Sequence, residues 1–220
     1  TDFEIHRIDR SGVSNLFLRW GEKNLPTLGF CGHVDVVPPG DLNKWEFEPF
    51  SGQIVGDVLF GRGSVDMKSA VAAFCIAAIK YSKQAKPNFS IVLMITGDEE
   101  GEAKHGTKAI LDWMTKNNHR IDHCIVGEPT CPKTFGEAIK IGRKGSMTAT
   151  FTLTGKQGHA AYPHLAINPI NASTKLLTNI LDSHLDEGSQ FFEPSTLVAT
   201  TISANNNANN VIPSEVKTSV

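Results

Sequence analysis

The sequence predicts an α/β fold joined to a smaller α+β unit, and three features of its 220 residues support this prediction. Near-continuous apolar segments are typical of strands buried on both faces of a sheet. Segments long enough for helices lie between them, which is the pattern of parallel strands joined by helices. After about Arg143 the pattern changes to alternating, β-rich segments around one helix. We therefore expect one domain at 1–143 and a second at 144–220.

The first unit is expected to alternate strands with helices. The predicted elements are, in chain order, a strand at Thr27–Gly32, a helix at Met67–Ser82, a strand at Phe89–Thr96, a helix at Thr107–Asn117 and a strand at His123–Val126. Asp66 precedes the first helix and is interpreted as its N-cap, because a carboxylate there accepts a free backbone N–H. This alternation predicts a mostly parallel sheet that is covered on both faces.

The second unit is expected to combine one helix with a few strands. The predicted elements are β-rich segments at Ser146–Thr154 and Ser195–Ser203, a helix from Asn168 to about Leu185, and a strand at Glu215–Val220. Asn168 is followed by a proline, and this pair favours a helix start, since asparagine caps and proline fits the first turn. The last residues have the pattern of a strand interior, so we expect both units to be incomplete parts of a longer protein.

Composition excludes several classes of partner. The chain carries 21 Lys and Arg against 23 Asp and Glu, a formal charge of −2, which argues against binding to nucleic acid or to anionic membranes through bulk charge. No segment approaches the roughly 20 apolar residues of a membrane span. The cysteines form no C-x-x-C pair, and the N-terminus lacks the pattern of an export signal. We therefore expect a cytoplasmic protein without nucleic-acid or membrane partners.

Acidic side chains and one histidine follow the carboxyl ends of the predicted strands, where open α/β sheets place their sites. They are His33, Asp35, Asp66, Asp98, Glu99, Glu100 and Glu128. Packing so many acids together is unfavourable unless a cation joins them. Imidazole and carboxylate ligands suit zinc, and a shared carboxylate can bridge two ions. Asp35, two residues after His33, can bind the ring nitrogen that the metal leaves free.

Each of these residues also has a simpler interpretation. A single histidine at a strand end is usually a hydrogen-bonded polar residue, Asp66 alone can be just a cap, and Glu99-Glu100 alone is typical of a solvated acidic turn. Their recurrence at successive strand ends favours a metal site. The motifs of helical zinc proteases, phosphate-binding loops and serine nucleophile elbows are absent from the sequence.

Several motifs resemble a family of hydrolases with two co-catalytic zinc ions. These motifs are GHVDVVPPG (32–40), W-x-x-x-PF (45–50), GRGSVDMKS (61–69), GDEEG (97–101) and GEPT (127–130). The family includes aminoacylases, acetylornithine deacetylases, zinc carboxypeptidases and desuccinylases. The later motifs KIGRKGS (140–146), GKQGHAAYPHLAINP (155–169) and NNVIP (209–213) are most similar to the desuccinylases. The resemblance implies a zinc-peptidase-like catalytic domain, a ferredoxin-like dimerisation domain, a homodimer and hydrolysis of a small acyl amino acid.

The resemblance also implies a role for each of these residues except Asp98. The implied metal ligands are His33, Asp66, Glu100 and Glu128. In this arrangement, His33 and Glu128 hold one Zn²⁺, Asp66 bridges to a second and Glu100 binds that second ion. Asp35 orients the ring of His33, and Glu99 is the general base. Two zinc ions per subunit are implied, with Co²⁺ as a substitute.

The same resemblance assigns roles in the second domain. His159 is similar to a histidine that reaches across the dimer to stabilise an oxyanion, although a histidine in a simple turn is an alternative. The residues implied to hold the carboxylates of the substrate are Arg143, Ser146, Tyr162, Asn209 and Asn210. Arg143 suits this role through its planar guanidinium, and the alternative is a salt bridge at a hinge.

Two departures from the family pattern lower the activity that we expect of this chain. The family takes a further histidine ligand from near its C-terminus and begins with an additional helix, and neither lies within the 220 residues. We therefore expect this piece to be at best a weak enzyme with a single zinc. Two other interpretations stay open. One is a related zinc deacylase that acts on another acyl amino acid such as acetylornithine, and the other is a non-catalytic dimerising fragment.

Overall fold

The computed structural model describes residues 3–84 and 88–220 of the chain. The chain forms two compact units, Thr1–Ile139 and Lys140–Val220, which divide a few residues before the predicted boundary. None of the helices in the described ranges is long and apolar enough to cross a membrane.

The first unit contains the following elements within its described residues. They are β1 (Glu4–Arg10), β2 (Val13–Trp20), β3 (Thr27–His33), β4 (Ile54–Val55), β5 (Val58–Leu59), α1 (Ser69–Ser82), β6 (Ser90–Thr96), α2 (Thr107–Lys116) and β7 (His123–Val126). The predicted strands at 27–32, 89–96 and 123–126 and the helix at 107–117 are confirmed to within a residue of each end.

The main sheet of this unit is mixed rather than mostly parallel. In its described part, five strands follow the order β1-β2-β6-β3-β7. β3 is parallel to both of its neighbours, β6 and β7, whereas β1-β2 and β2-β6 are antiparallel pairs. The antiparallel part comes from the β1–β2 hairpin, which lies outside the predicted elements. Its turn is formed by Ser11 and Gly12, both with positive φ (50° and 83°), as two-residue hairpin turns require.

A helix covers each face of this sheet, as the sequence predicts. On one face, α2 packs its Ile110 and Met114 against Phe17 and Val92. On the other, α1 packs Ala78 against a cluster that includes Trp20, Ile91 and Leu93. Because Val92 lies between Ile91 and Leu93 in β6, its side chain points to the opposite face. β6 is therefore the buried centre of the unit, which explains its near-continuous apolar sequence.

The helix predicted at 67–82 begins later than expected, and Asp66 is not its cap. α1 starts at Ser69, its N-terminal cap position is Lys68, and no side chain caps it. Asp66 lies in a kinked segment with non-helical dihedral angles (φ −115°, ψ 99°). The carboxylate of Asp66 turns toward His33 instead, so the capping prediction is wrong.

In the residues described, the second unit contains a three-stranded antiparallel sheet, a separate antiparallel pair of strands, one α-helix and a short 3₁₀ helix at Pro163–Leu165. Its elements are β8 (Thr150–Thr154), β9 (Gly158–His159), α3 (Pro169–Leu181), β10 (Thr201–Ser203), β11 (Val211–Ile212) and β12 (Glu215–Ser219). β12 lies between β10 and β8, and β11 pairs with β9. The side chain of Asn168 accepts the backbone N–H of Ile170, which confirms the predicted helix start. The helix ends before Leu185, and the β-rich segment at 195–203 forms a strand only over its last three residues.

Candidate metal centre

Three parallel strands deliver the candidate ligands to one edge of the sheet. β3 ends at His33, β6 ends shortly before Glu99, and β7 ends shortly before Glu128. Because these three strands are parallel neighbours, their carboxyl ends meet at the same edge. Residues that are far apart in the sequence therefore come together around His33.

The ring of His33 is the centre of this cluster, and its side chain is 1% exposed. Its Nε2 lies 3.1 Å from an Asp66 carboxylate oxygen, 3.5 Å from one of Glu128 and 3.9 Å from one of Glu99. A single ring nitrogen thus faces three carboxylates. Such a set of donors around one point is the arrangement that a divalent cation binds.

The other ring nitrogen of His33 is held by Asp35. Nδ1 lies 2.9 Å from the main-chain carbonyl oxygen of Asp35 and 3.6 Å from its carboxylate. A proton on Nδ1 that is donated to this carbonyl leaves the lone pair of Nε2 free for a metal. Burial lowers the pKa of His33, but the hydrogen bonds to Asp35 and Asp66 and the nearby acids outweigh burial, and the pKa is raised.

Asp35 also fixes the acidic turn of the neighbouring strand. Its Oδ2 accepts the backbone N–H groups of both Glu99 and Glu100, each at 2.9 Å. Its other oxygen, Oδ1, is buried and has no hydrogen-bond partner among the described residues. Asp35 therefore connects the histidine on β3 to the turn that follows β6.

The kinked segment before α1 brings Asp66 into the cluster. Met67, the next residue, is fully buried and packs with Phe30 and Val71, which anchors the segment under the sheet edge. Its methyl group occupies the space next to Gly32 and Gly127, where a Cβ would lie 2.7 Å and 3.0 Å from it. Glycine beside His33 and beside Glu128 is therefore a packing requirement of this site.

The carboxylates of the cluster lie close enough together to disfavour the charged form of Glu128. Burial, together with the negative charges of Asp66 and Glu99, raises the pKa of Glu128. Two sets of donor atoms each lie within 4.8 Å of one another: His33, Asp66 and Glu128 form the first, and His33, Glu99 and Glu100 form the second. The residues present therefore fit a divalent metal ion.

In the second unit, the structure brings three of the predicted residues together. His159 lies in β9 opposite Val211, and its ring lies 5.9 Å from that of Tyr162. The carbonyl oxygen of Asn210 accepts the backbone N–H of the residue that follows His159. His159, Tyr162 and Asn210 thus share one neighbourhood, and Asn209 lies in the adjoining exposed turn.

The other two predicted residues, Arg143 and Ser146, lie in an exposed segment before β8. Arg143 lines a cavity of about 480 Å³ within the second unit. Lys144 borders the same cavity and donates to the carbonyl oxygens of Glu193 and Pro194 at 3.0 and 2.9 Å.

Sequence reasoning did not identify Asn15, a buried residue of β2. Its side chain contacts Thr96 and Gly97, at the start of the loop that carries Glu99 and Glu100. A polar amide within a segment that also holds Leu16, Phe17 and Leu18 was the available signal. This signal indicates a role only once the hairpin is known, and the sequence pattern does not predict the hairpin.

Comparison with known proteins identifies the class. The model of peptidase family M20/M25/M40 matches residues 29–211, and the chain belongs to this family. A curated relative from Paracoccus denitrificans, named succinyl-diaminopimelate desuccinylase, is 54% identical over 216 residues, which are 98% of this chain and 56% of that protein. One of the same name from Dinoroseobacter shibae is 52% identical over 219 residues, 99% of this chain and 58% of that protein. The chain thus spans little more than half the length of these relatives.

Solved structures agree with the fold. The chain is similar to an M20 family metallo-carboxypeptidase, Sso-CP2, from Sulfolobus solfataricus, with a TM-score of 0.70 and 16% identity over 98% of this chain and 61% of that one. Human carnosine dipeptidase 1 gives a TM-score of 0.67 at 18% identity, over 99% and 60% of the two chains. The predicted α/β class and the family resemblance are confirmed.

Proposed function

We propose that the protein carrying this chain is a zinc-dependent amidohydrolase that cleaves N-succinyl-LL-2,6-diaminopimelate to succinate and LL-2,6-diaminopimelate. The observation that carries this proposal is the cluster around His33 Nε2, in a chain that is 52% and 54% identical to two relatives named succinyl-diaminopimelate desuccinylase. The reaction belongs to lysine and diaminopimelate biosynthesis, so the proposed location is the bacterial cytoplasm.

The proposed metal ligands are His33, Asp66 and Glu128 for one ion, with Asp66 shared by a second ion that Glu100 binds. Imidazole and carboxylate donors favour zinc, and cobalt accepts the same donors. When bound, the metal polarises the amide carbonyl and lowers the pKa of water toward about 7. The crowding that raises the pKa of Glu128 supports this assignment, because a cation relieves it.

Glu99 is the proposed general base. Its carboxylate lies 3.9 Å from His33 Nε2 and its side chain is 42% exposed, so it borders both the cluster and the solvent. It takes a proton from the attacking water and later delivers that proton to the leaving amine. Asp35 keeps this base in position, because it contacts both the ring of His33 and the backbone N–H of Glu99.

The second unit is proposed to recognise the substrate and to form a homodimer. His159 of the partner subunit would donate a hydrogen bond to the carbonyl oxygen as it becomes negative, a contribution of about 3 kcal/mol for such donors. The residues proposed to bind the substrate carboxylates are Arg143, Ser146, Tyr162, Asn209 and Asn210. The planar guanidinium of Arg143 can pair with a carboxylate through two hydrogen bonds.

Hydrolysis by the zinc-loaded protein tests this proposal directly. N-succinyl-LL-2,6-diaminopimelate and N-acetylornithine are compared as substrates, and we expect a clear preference for the succinyl compound. Glu99→Gln should lower kcat by roughly 10²–10⁴-fold, because it removes general base catalysis. Arg143→Ala should raise KM for the succinyl substrate and reduce the preference.

A matched control lies in the same loop as the base. Glu102 is exposed and pairs with Lys104 at 2.7 Å, so Glu102→Gln should leave turnover unchanged. Faster turnover of acetylornithine would reject the substrate, and full activity in Glu99→Gln would reject the base.

A further inference from the structure

The loop between β6 and α2 carries Glu99 and Glu100, yet residues 97–106 have no helix or strand of their own. A metal site depends on carboxylates that are held in fixed positions. Asp35 fixes the two backbone N–H groups of the acidic pair from the side of β3. The two ends of the loop are held by other contacts, which come from β2.

Asn15 of β2 provides contacts to both ends. Its side-chain NH₂ group donates to the carbonyl oxygens of Ile8 at 3.1 Å and of His105 at 2.9 Å. Its Oδ1 accepts the hydroxyl of Thr96 at 2.9 Å and the backbone N–H of Gly97 at 3.3 Å. The residue is 2% exposed, and these four bonds use both donors and both acceptor sites of the amide.

Thr96 and Asp98 extend these contacts into the loop. The Thr96 hydroxyl donates to Asn15 and also accepts the backbone N–H of Asp98 at 3.2 Å. The Asp98 carboxylate in turn accepts the backbone N–H groups of Ala103 at 3.3 Å and His105 at 2.8 Å. The Asn15 amide therefore begins a continuous hydrogen-bond network that encloses the acidic pair.

We propose that Asn15, acting through the Thr96 hydroxyl, is a positioning residue that holds the loop 97–106 so that Glu99 and Glu100 face His33. Asn15 touches neither carboxylate and acts through the backbone of the loop. The inference rests on the proposed function only in taking Glu99 and Glu100 as residues of the metal reaction. Asp35 and Asn15 would then fix the loop from two different strands, β3 and β2.

A purely structural role for Asn15 predicts something different. A buried amide that only joins the hairpin to the sheet would, when removed, destabilise the whole unit and leave the folded loop unchanged. Asn15→Ala leaves several buried groups unpaired and is therefore the variant most at risk of not folding. Thr96→Val is nearly isosteric, keeps Asn15, and removes only the hydroxyl that links the amide to the loop.

The experiment compares wild type with Asn15→Ala and Thr96→Val, and includes Thr27→Val as the matched control. Thr27 is also a buried threonine, 2% exposed, but it lies at the opposite end of the sheet, and its hydroxyl donates to Leu25. Amide hydrogen exchange is measured on the metal-free protein, and zinc affinity is measured by competition with a chromophoric chelator. Neither readout uses the substrate.

We expect the amides of Gly97, Ala103 and His105, none of which donates to Thr96 itself, to exchange at least tenfold faster in Thr96→Val, while those of Phe30 and Leu93 in the central strands stay as in wild type. Zinc should bind 10–100-fold more weakly, as is typical when a supporting partner of a ligand is lost. Thr27→Val should change neither quantity. Loop amides that keep their wild-type exchange rates relative to the central strands, or an unchanged zinc affinity in Thr96→Val, would overturn the proposal.

The outcome is separable from that of the proposed function. A protein that binds zinc but leaves N-succinyl-LL-2,6-diaminopimelate intact refutes the substrate, whereas the exchange and affinity data still decide the role of Asn15.

Discussion

The buried pair of Arg19 and His119 should make the first unit lose stability in mild acid. Arg19 is 2% exposed and His119 is 6% exposed. Arg19 Nε donates to His119 Nδ1 at 3.1 Å, and Trp113 stacks on the His119 ring at a centroid distance of 5.1 Å. Burial, followed by the positive charges of Lys23 and Arg19, lowers the pKa of His119 from 6.5 to about 4.

The size and sign of the effect follow from this pKa. Between pH 6.5 and pH 4 the unfolded chain binds a proton at His119 and the folded chain does not, so the free energy of unfolding falls as the pH falls. The stabilisation is complete above pH 6.5. A lowering of the pKa from 6.5 to about 4 corresponds to a loss of roughly 3 kcal/mol across that window.

Urea unfolding at a series of pH values measures this loss. In His119→Asn the amide oxygen can still accept the Arg19 N–H, but no proton binds, so the free energy of unfolding should fall less between pH 6.5 and 4 than in wild type. Asn118→Ala is the control, because it changes an exposed neighbour without removing a titrating group and should shift the curve without altering its slope. Equal slopes in wild type and His119→Asn, or titration of the His119 ring near pH 6.5 by NMR, would refute the reasoning.

Three other predictions concern packing and metal binding. Gly106→Ala should destabilise the protein by about 1–3 kcal/mol in urea unfolding, because its Cβ would collide with the Thr96 hydroxyl and the Asp98 backbone. Phe17→Ala should cost about 3–5 kcal/mol in the same assay, since the ring is fully buried between β2 and α2. Zinc at about 100 times its Kd should stabilise the protein by about 2.7 kcal/mol, seen as a rise in Tm that a chelator reverses, and Glu128→Gln should reduce this rise.

Each of these predictions has a matched control. Gly145→Ala adds a Cβ with nothing within 4 Å and should be nearly neutral. Phe50→Ala removes a ring that is 58% exposed and should cost far less than Phe17→Ala. Glu102→Gln should keep the full rise in Tm with zinc. A Phe17→Ala cost as small as that of Phe50→Ala, a neutral Gly106→Ala, or an unchanged zinc response in Glu128→Gln would contradict the corresponding prediction.

The sequence was most informative where a segment is buried on both sides. β6 reads as a near-continuous apolar segment because helices cover both of its faces, and its bounds were predicted to within one residue. The sequence does not predict the β1–β2 hairpin, because charged residues interrupt the alternation of apolar and polar residues that is typical of half-buried strands. Arg19, for example, can be buried because its guanidinium donates hydrogen bonds to His119 and to two backbone carbonyls. No local sequence pattern indicates these partners.

The candidate site likewise contains residues that the sequence predicts and contacts that only the tertiary structure reveals. The residue types at the strand ends predicted the cluster that forms around His33, because parallel strands bring their carboxyl ends to one edge. The sequence predicts Asp66 both in the cluster and as a helix cap, and the cap is wrong. The segment is kinked at Asp66, beside the buried Met67, and no local pattern predicts this kink. The contacts of Asn15 depend on tertiary structure alone, and the sequence carried only the isolated polar residue as a sign of them.

The position of β3 between β6 and β7 determines when the candidate ligands come together during synthesis. His33 lies on an early strand, but its neighbours in the sheet, β6 and β7, are made much later. A growing chain on the ribosome carries His33, Asp66 and Glu99 before it carries Glu128, and Glu99 and Glu128 reach His33 only after β6 and β7 have paired with β3. Such non-local pairing is slow to form. Binding of a divalent cation at this cluster should therefore follow the assembly of the sheet.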